Sequence, residues 1–317
     1  MTLNWVIGRG GLLGSALARG LYKSEQQEFI AAKIRWGTAS ALVDLSGALD
    51  MFLASAGTNE WQIYWCAGAG VTDSKPEELK KESDLVGSFL RLLASKQLST
   101  HTKGGFLFCS SAGALYGGSS EPPFTENTIP QPLGEYGTFK IKAEAHVMKF
   151  SESSTISTAI ARIANLYGPG QSLSKQQGIL SRLASATLTN KPVSIYVPLD
   201  TLRDYIFVDD CATKLLLFAE KSRENPIRNK PHIKIIASGT SYSLGEVLGT
   251  FKRVQGKNPL VVMKESAVSA LQSKDLRLKS TYWQELDKIP VTGLLEGVSI
   301  TRRDLELKML QPGHFSI

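Results

Sequence analysis

Residues 104–147 read GGFLFCSSAGALYGGSSEPPFTENTIPQPLGEYGTFKIKAEAHV. The stretch opens on a short apolar run, Phe106-Leu107-Phe108-Cys109, set between glycines and small residues. That length suits a buried parallel strand better than a helix. The run empties into Ser110-Ser111-Ala112-Gly113-Ala114, side chains small enough for a ligand to approach the strand end. A turn-rich linker with four prolines follows, and Tyr136-Gly137-Thr138-Phe139-Lys140 then leads a charged, helix-prone segment through Glu144 and Lys149. On a helix, residues four apart share a face, so the Lys140 ammonium is expected beside the Tyr136 phenol. A free phenol has a pKa of about 10, and a neighbouring cation lowers it, as an acid/base working near neutrality requires. A strand-end hydroxyl, Ser111 or Ser110, is placed to hold a substrate oxygen against that tyrosine. Tyr and Lys four apart also occur on purely structural helices. Position favours chemistry here, because helix start and strand end would both face the open edge where doubly wound sheets bind ligands.

Outward to the N-terminus, residues 3–20 read LNWVIGRGGLLGSALARG. A short apolar strand runs into Gly8, Gly10, Gly11 and Gly14, with a helix expected from about Leu12. Glycines there permit a tight turn and let the backbone reach a pyrophosphate at the helix N-terminus, the pattern of a dinucleotide site. The second strand is expected within 29–36, FIAAKIRW. Counting ~20 residues past the glycines lands among Ala32, Lys33, Ile34 and Arg35, with no carboxylate for a ribose 2′-hydroxyl. With Arg9 in the loop, this favours a 2′-phosphate and hence NADP over NAD, against the reading of Lys33 and Arg35 as solvated surface residues. Residues 41–45, ALVDL, read as a third strand with Asp44 placed to meet the adenine, and 62–67, QIYWCA, as a fourth that ends in Gly68-Ala69-Gly70.

A long helix is expected over Pro76–Gln97, its apolar stripe a core or subunit contact. Beyond the Tyr-Lys helix, strands are expected at 157–164, 193–197 and 233–237, a helix near 179–187, and a helix cap at Ser243. Asp275-Leu276-Arg277 and 290–305 read as a small helical end to the chain.

With 317 residues, 42% hydrophobic and 21% charged, the chain can build one large α/β domain plus a smaller lobe. No apolar run approaches the ~20 residues of a membrane span, and no signal peptide is legible, so a cytoplasmic protein without a membrane partner is expected. The net charge of +7 is scattered rather than gathered in a basic tract, which speaks against nucleic acid and for small phosphorylated ligands. Cys66, Cys109 and Cys211 stand far apart in sequence and the histidines are isolated, so reduced thiols and no metal are expected.

Taken together, the glycine loop, Asp44-Leu45, the small residues after the fourth strand, SSAGALYG (110–117), YGTFK (136–140), RIANLYGPG (162–170) and RDYIFVDD (203–210) resemble the extended short-chain dehydrogenase/reductase family. These are the NAD(P)-dependent sugar-nucleotide epimerases, dehydratases and reductases, and the resemblance covers almost the whole chain. It implies an α/β fold, a Rossmann-type doubly wound parallel sheet with a smaller C-terminal α/β substrate lobe. Residues 1–165 would be the dinucleotide-binding domain and 166–317 mainly the substrate lobe, with the stretches near 193–210 and 233–237 partly returning to the first. The implied cofactor seat takes Gly8, Arg9, Gly10, Gly11, Leu13 and Gly14 from the loop. To these it adds Arg35, Asp44 and Leu45, then Cys66, Ala67 and Gly68. Tyr136 becomes the acid/base, and Lys140 supports it while binding the nicotinamide ribose. Asn165 and Arg203 match positions that contact the nucleotide diphosphate of a sugar-nucleotide substrate.

The chain departs from the family pattern in places. The usual Ser or Thr four residues before the tyrosine of the V-Y-G element is Ala112, which leaves Ser111, with Ser110 in reserve. Gly113 and Ala114 stand where 4,6-dehydratases carry a polar pair, and Asp84 replaces a helix Asn. The implied activity is first a 4-epimerase, second an NADPH-dependent 4-keto-sugar reductase, and third a non-catalytic dinucleotide-binding sensor. A homodimer through the Tyr-Lys helix and the helix before Gln97 is the expected assembly.

Overall fold

The computed structural model describes residues 1–71, 74–96, 103–171, 178–264 and 272–310. Strand β1 (Thr2–Ile7) is buried along nearly its whole length, as are β3 (Glu60–Trp65), β4 (Gly104–Ser111) and β5 (Ser157–Ile163). Strands covered on both faces carry apolar residues without alternation, which is why 106–109 reads as one continuous run. With β2 (Gln27–Phe29) and β9 (His232–Ile236) they form a six-stranded sheet in the order β2-β1-β3-β4-β5-β9, every pairing parallel. The Rossmann-type architecture read from the motifs is therefore present. Among the described residues no helix is long and apolar enough to cross a membrane.

Helices cover both faces. On one face α2 (Ala41–Ala56), α3 (Pro76–Ser95) and α5 (Glu135–Ser153) enclose an aromatic core, in which the Trp5 ring lies 5.4 Å from Phe52 and 5.8 Å from Phe89. On the other, α1 (Leu12–Lys23) and α7 (Val208–Glu224) pack over Val6, Leu107 and Ile235, joined by the short α4 (Ala112–Tyr116) at the sheet's upper rim. Arg162 on β5 and Glu144 on α5 form a buried ion pair at 2.8 Å, and Arg162 also donates to the Tyr116 hydroxyl at 2.7 Å, fastening α4 and α5 to the sheet.

The later chain builds two smaller sheets. Strand β8 (Leu202–Phe207) pairs with β6 (Asn165–Tyr167), β10 (Ser241–Ser243) and β12 (Asp275–Leu276), and β7 (Val193–Ile195) pairs with β11 (Val261–Met263). Around them α6 (Ile179–Thr189), α8 (Leu244–Gln255) and α9 (Leu294–Leu310) enclose a third core. Ser243 caps α8 as expected, its hydroxyl accepting from the Glu246 N–H at 3.2 Å within a reciprocal capping box.

Two strand readings are corrected. Residues 41–45 are not a third strand but the first turn of α2. Ala41, Leu45, Ala48, Leu49, Phe52 and Ala56 are its buried positions, and their spacing of three and four is helical. A window closed at Leu45 hides that period. The second strand lies earlier than 29–36, because α1 ends at Lys23 and Glu25, at φ 54°, turns the chain straight into β2. With no third strand, β2 is the sheet edge. Helix α3 ends at Ser95, and Gln97 lies outside the described residues.

Candidate active site

The strand order reverses between β1 and β3, and the crevice above their C-terminal ends is where doubly wound sheets take ligands. Gly8 leaves β1 at φ 93°, and a Cβ there would stand 2.5 Å from the backbone nitrogen of Ala67. At Gly14 a Cβ would stand 2.2 Å from the Gly8 carbonyl oxygen. Glycine alone lets the loop, the β3 exit and α1 close together at these two points. The Gly11 N–H donates to the Gly8 carbonyl at 2.9 Å, and α1 starts with neither a side-chain cap nor an acidic residue in its first turn. Bare amides at an uncompensated helix N-terminus fit a pyrophosphate, so the residues present suit a dinucleotide. Gly10 is exposed with open space around it, and Leu13 is half-buried against the first core.

Both cations read as 2′-phosphate ligands are paired. Arg9 Nε donates to Glu28 at 2.8 Å; Arg35 donates to Asp44 through Nε at 3.0 Å and Nη2 at 2.6 Å. Hydrogen bonds from Arg35 hold the Asp44 carboxyl down at about 2. Asp44, read as the adenine partner at a strand end, lies in the first turn of α2, where it joins the loop ahead of the helix through Arg35. Leu45 is fully buried in the second core and presents no surface to a ligand. Glu28 escaped notice because counting from the glycines overshoots a strand that starts at Gln27.

At the β3 exit, Cys66 Sγ lies 3.4 Å from Cys109 Sγ, bringing together thiols that are remote in sequence. Their contact and burial push the Cys66 thiol well up, so it stays protonated. Across the crevice, Tyr136 and Lys140 lie in the first turns of α5, both half-buried. Lys140 Nζ stands 5.7 Å from the Tyr136 ring centre and 5.4 Å from that of Phe108, so the spacing of four does set ammonium beside phenol. Gly137 lets α5 touch α4 directly, since a Cβ there would lie 2.2 Å from the Ala114 carbonyl. That contact seats the start of α5 against the serine-bearing strand end. Ser111 caps α4 and accepts from the Ala114 N–H at 3.4 Å, whereas the Ser110 hydroxyl is buried beneath it without a hydrogen bond. Ala112 is fully enclosed.

Asn165 donates from Nδ2 to the Asp204 carbonyl at 3.1 Å, and its Oδ1 comes to 4.0 Å from where a Gly113 Cβ would stand. It therefore borders the serine strand end. Arg203 is buried and donates to the carbonyls of Leu202 at 2.8 Å and Ser273 at 2.6 Å, with no ion pair among the described residues.

A cleft behind Lys140, between α3 and α5, is lined by Ala67, Leu79, Glu82, Ser83 and Phe108. Glu82 Oε1 accepts from the N–H groups of Ala69 at 2.5 Å and Gly70 at 2.9 Å, pinning the loop that follows β3. Sequence reading passed over Glu82 for its neighbour Asp84, which is exposed and paired with Lys80 at 2.7 Å. A glutamate whose helix turns it toward the small-residue strand exit was the available signal.

The sequence profile of the NAD dependent epimerase/dehydratase family matches residues 5–233. The dTDP-4-dehydro-6-deoxyglucose reductase of Escherichia coli is 26% identical over 189 residues, which are 59% of this chain and 58% of that protein. A putative UDP-glucose 4-epimerase of Methanocaldococcus jannaschii is 29% identical over 150 residues, 47% of each chain. The matched segments thus span about half the length of these curated relatives. Among solved structures, the UDP-glucose 4-epimerase of Thermotoga maritima with UDP-glucose superposes at a TM-score of 0.79, with 20% identity over 98% of this chain and 100% of that one. At that identity the likeness is one of fold.

Proposed function

The chain belongs to the NAD dependent epimerase/dehydratase family, and on that premise we propose that it is a sugar-nucleotide 4-epimerase working through a transient 4-keto sugar. The observation that carries this reading is the Tyr136-Lys140 pair set beside the serine strand end, with Gly113 and Ala114 where an acidic pair would serve dehydration. The bound nicotinamide ring supplies reversible hydride acceptance; the protein supplies the rest. Tyr136 takes the proton of the sugar 4-hydroxyl as that carbon is oxidised and returns it after the keto sugar has turned over. The Lys140 ammonium favours the phenolate this requires. Ser111, with Ser110 in reserve, donates a hydrogen bond to the same oxygen. Residues 166–317 carry the sugar nucleotide, with Asn165 at the border of the two regions and Arg203 within β8, and two chains associate through α3 and α5.

The second reading, a 4-keto-sugar reductase using exchangeable NADPH, draws on the E. coli relative and on the arginines at 9 and 35. Exposed pairs such as Arg9–Glu28 and Arg35–Asp44 are worth little, so a 2′-phosphate can compete for either arginine.

The deciding experiment identifies the nucleotide released on denaturing the purified protein and then assays conversion of UDP-glucose to UDP-galactose. Near-stoichiometric NAD and interconversion are expected, with Tyr136→Phe slowing turnover by about 10²–10⁴-fold while cofactor stays bound. An empty protein that binds NADPH far more tightly than NADH and leaves UDP-glucose untouched would transfer the assignment to the reductase.

A further inference from the structure

Glu82 divides its two carboxylate oxygens between two tasks. Oε1 is fully engaged by the amides of Ala69 and Gly70. Oε2 lies 3.0 Å from where a Gly70 Cβ would stand and 3.5 Å from where a Gly68 Cβ would stand, and Lys140 Nζ comes within 3.9 Å of the Gly68 point. Gly68 places no side chain of its own between carboxylate and ammonium. Lys140 forms no salt bridge among the described residues. Among the described residues, the other titratable groups shown against it are Tyr136 on its own helix and Cys66 at the end of β3. Glu144, one turn further along α5, is committed to Arg162.

We propose that Glu82 is a positioning residue whose second oxygen, near Lys140 on the far side of Gly68, offsets part of the ammonium's field on Tyr136. The inference rests on Tyr136 being the acid/base. A neighbouring ammonium with no counter-charge favours the phenolate form of a tyrosine and weakens it as the acid that must return the proton. With Glu82 present, the pair is poised to give as well as take. The carboxylate acts on the tyrosine through Lys140 and need not touch the sugar.

The test is an ultraviolet titration of phenolate, read as the difference between each protein and its own Tyr136→Phe partner, with NAD bound. Glu82→Gln keeps an amide oxygen for Ala69 and Gly70 and removes only the charge. The Tyr136 midpoint should move down by about one pH unit in Glu82→Gln, while the melting temperature and NAD affinity stay close to those of the unsubstituted protein. Glu82→Ala should show the same shift and, with the loop released, weaker NAD binding. A midpoint that does not fall in Glu82→Gln overturns the proposal, because loop anchoring alone survives that substitution. The titration needs no sugar nucleotide, so absent epimerisation would sink the functional reading and leave this result standing on its own.

Discussion

Asp204 shows how one side chain can hold two parts of the site at once. Its carboxylate accepts from the N–H groups of Ser238 at 2.8 Å and Gly239 at 2.9 Å, and its carbonyl accepts from Asn165. Burial outweighs those bonds and pushes the carboxyl up to about 6. The folded protein therefore binds this proton more tightly than the unfolded chain. Stability from Asp204 is fully present below about pH 4 and declines as pH rises toward 6. In urea unfolding, the advantage of the unsubstituted protein over Asp204→Asn should shrink by about 2 kcal/mol between pH 4 and pH 7. A constant difference across that range would mean the site is wetter than its burial implies. The serines pose a different question at the same scale. Ser110 and Ser111 are indistinguishable in sequence chemistry, yet one is enclosed without a hydrogen bond and the other caps a helix at the crevice.

Among the elements, the β1-loop-α1 unit is held by backbone contacts that no side chain can replace. A Cβ at Gly14 meets three backbone atoms of Gly8 and Arg9 at 2.2–2.8 Å, whereas one at Gly10 meets nothing within 4 Å. Gly14→Ala should lower the unfolding free energy by about 2–3 kcal/mol, since the loop must shift as a whole. Gly10→Ala should stay within about 0.5 kcal/mol of the unsubstituted protein. Equal losses in the two variants would show that the loop is set by the bound dinucleotide rather than by packing. Helix α2 is the counter-case. Its first turn reads as a strand with a useful carboxylate, but Asp44 joins Arg35 and the buried stripe continues to Ala56.

Across the whole molecule, the two edges of the main sheet are managed differently. Strand β2 is kept to three residues, while β9 is covered by the segment that follows β12. Glu126 is the hub of that cover. It accepts from the Ile235 N–H at 2.9 Å, from the Thr281 N–H at 2.8 Å, and from the hydroxyls of Ser280 and Thr281 at 2.6 and 2.9 Å. Beside it the fully buried Lys234 ammonium donates to Asp287 at 2.9 Å and to the Tyr282 carbonyl at 2.6 Å. Glu126→Ala should cost about 3 kcal/mol and speed hydrogen exchange at Ile235 and Thr281 together. Exchange that rises at only one of them would show that edge and cover are not latched through this carboxylate.

The fold class, the glycine turn, the serine strand end and the Tyr136-Lys140 face were legible in the chain because each depends on local chemistry: a period, a backbone freedom, a spacing along one helix. The six-strand count, the 3.4 Å approach of Cys66 to Cys109, the pairing of Arg9 with Glu28 and the meeting of Glu82 and Lys140 near Gly68 were not. Those depend on which strands lie side by side and how deeply each residue sits. Such relations join residues far apart in sequence, and only packing brings them within the few ångströms over which hydrogen bonds and unscreened charges act.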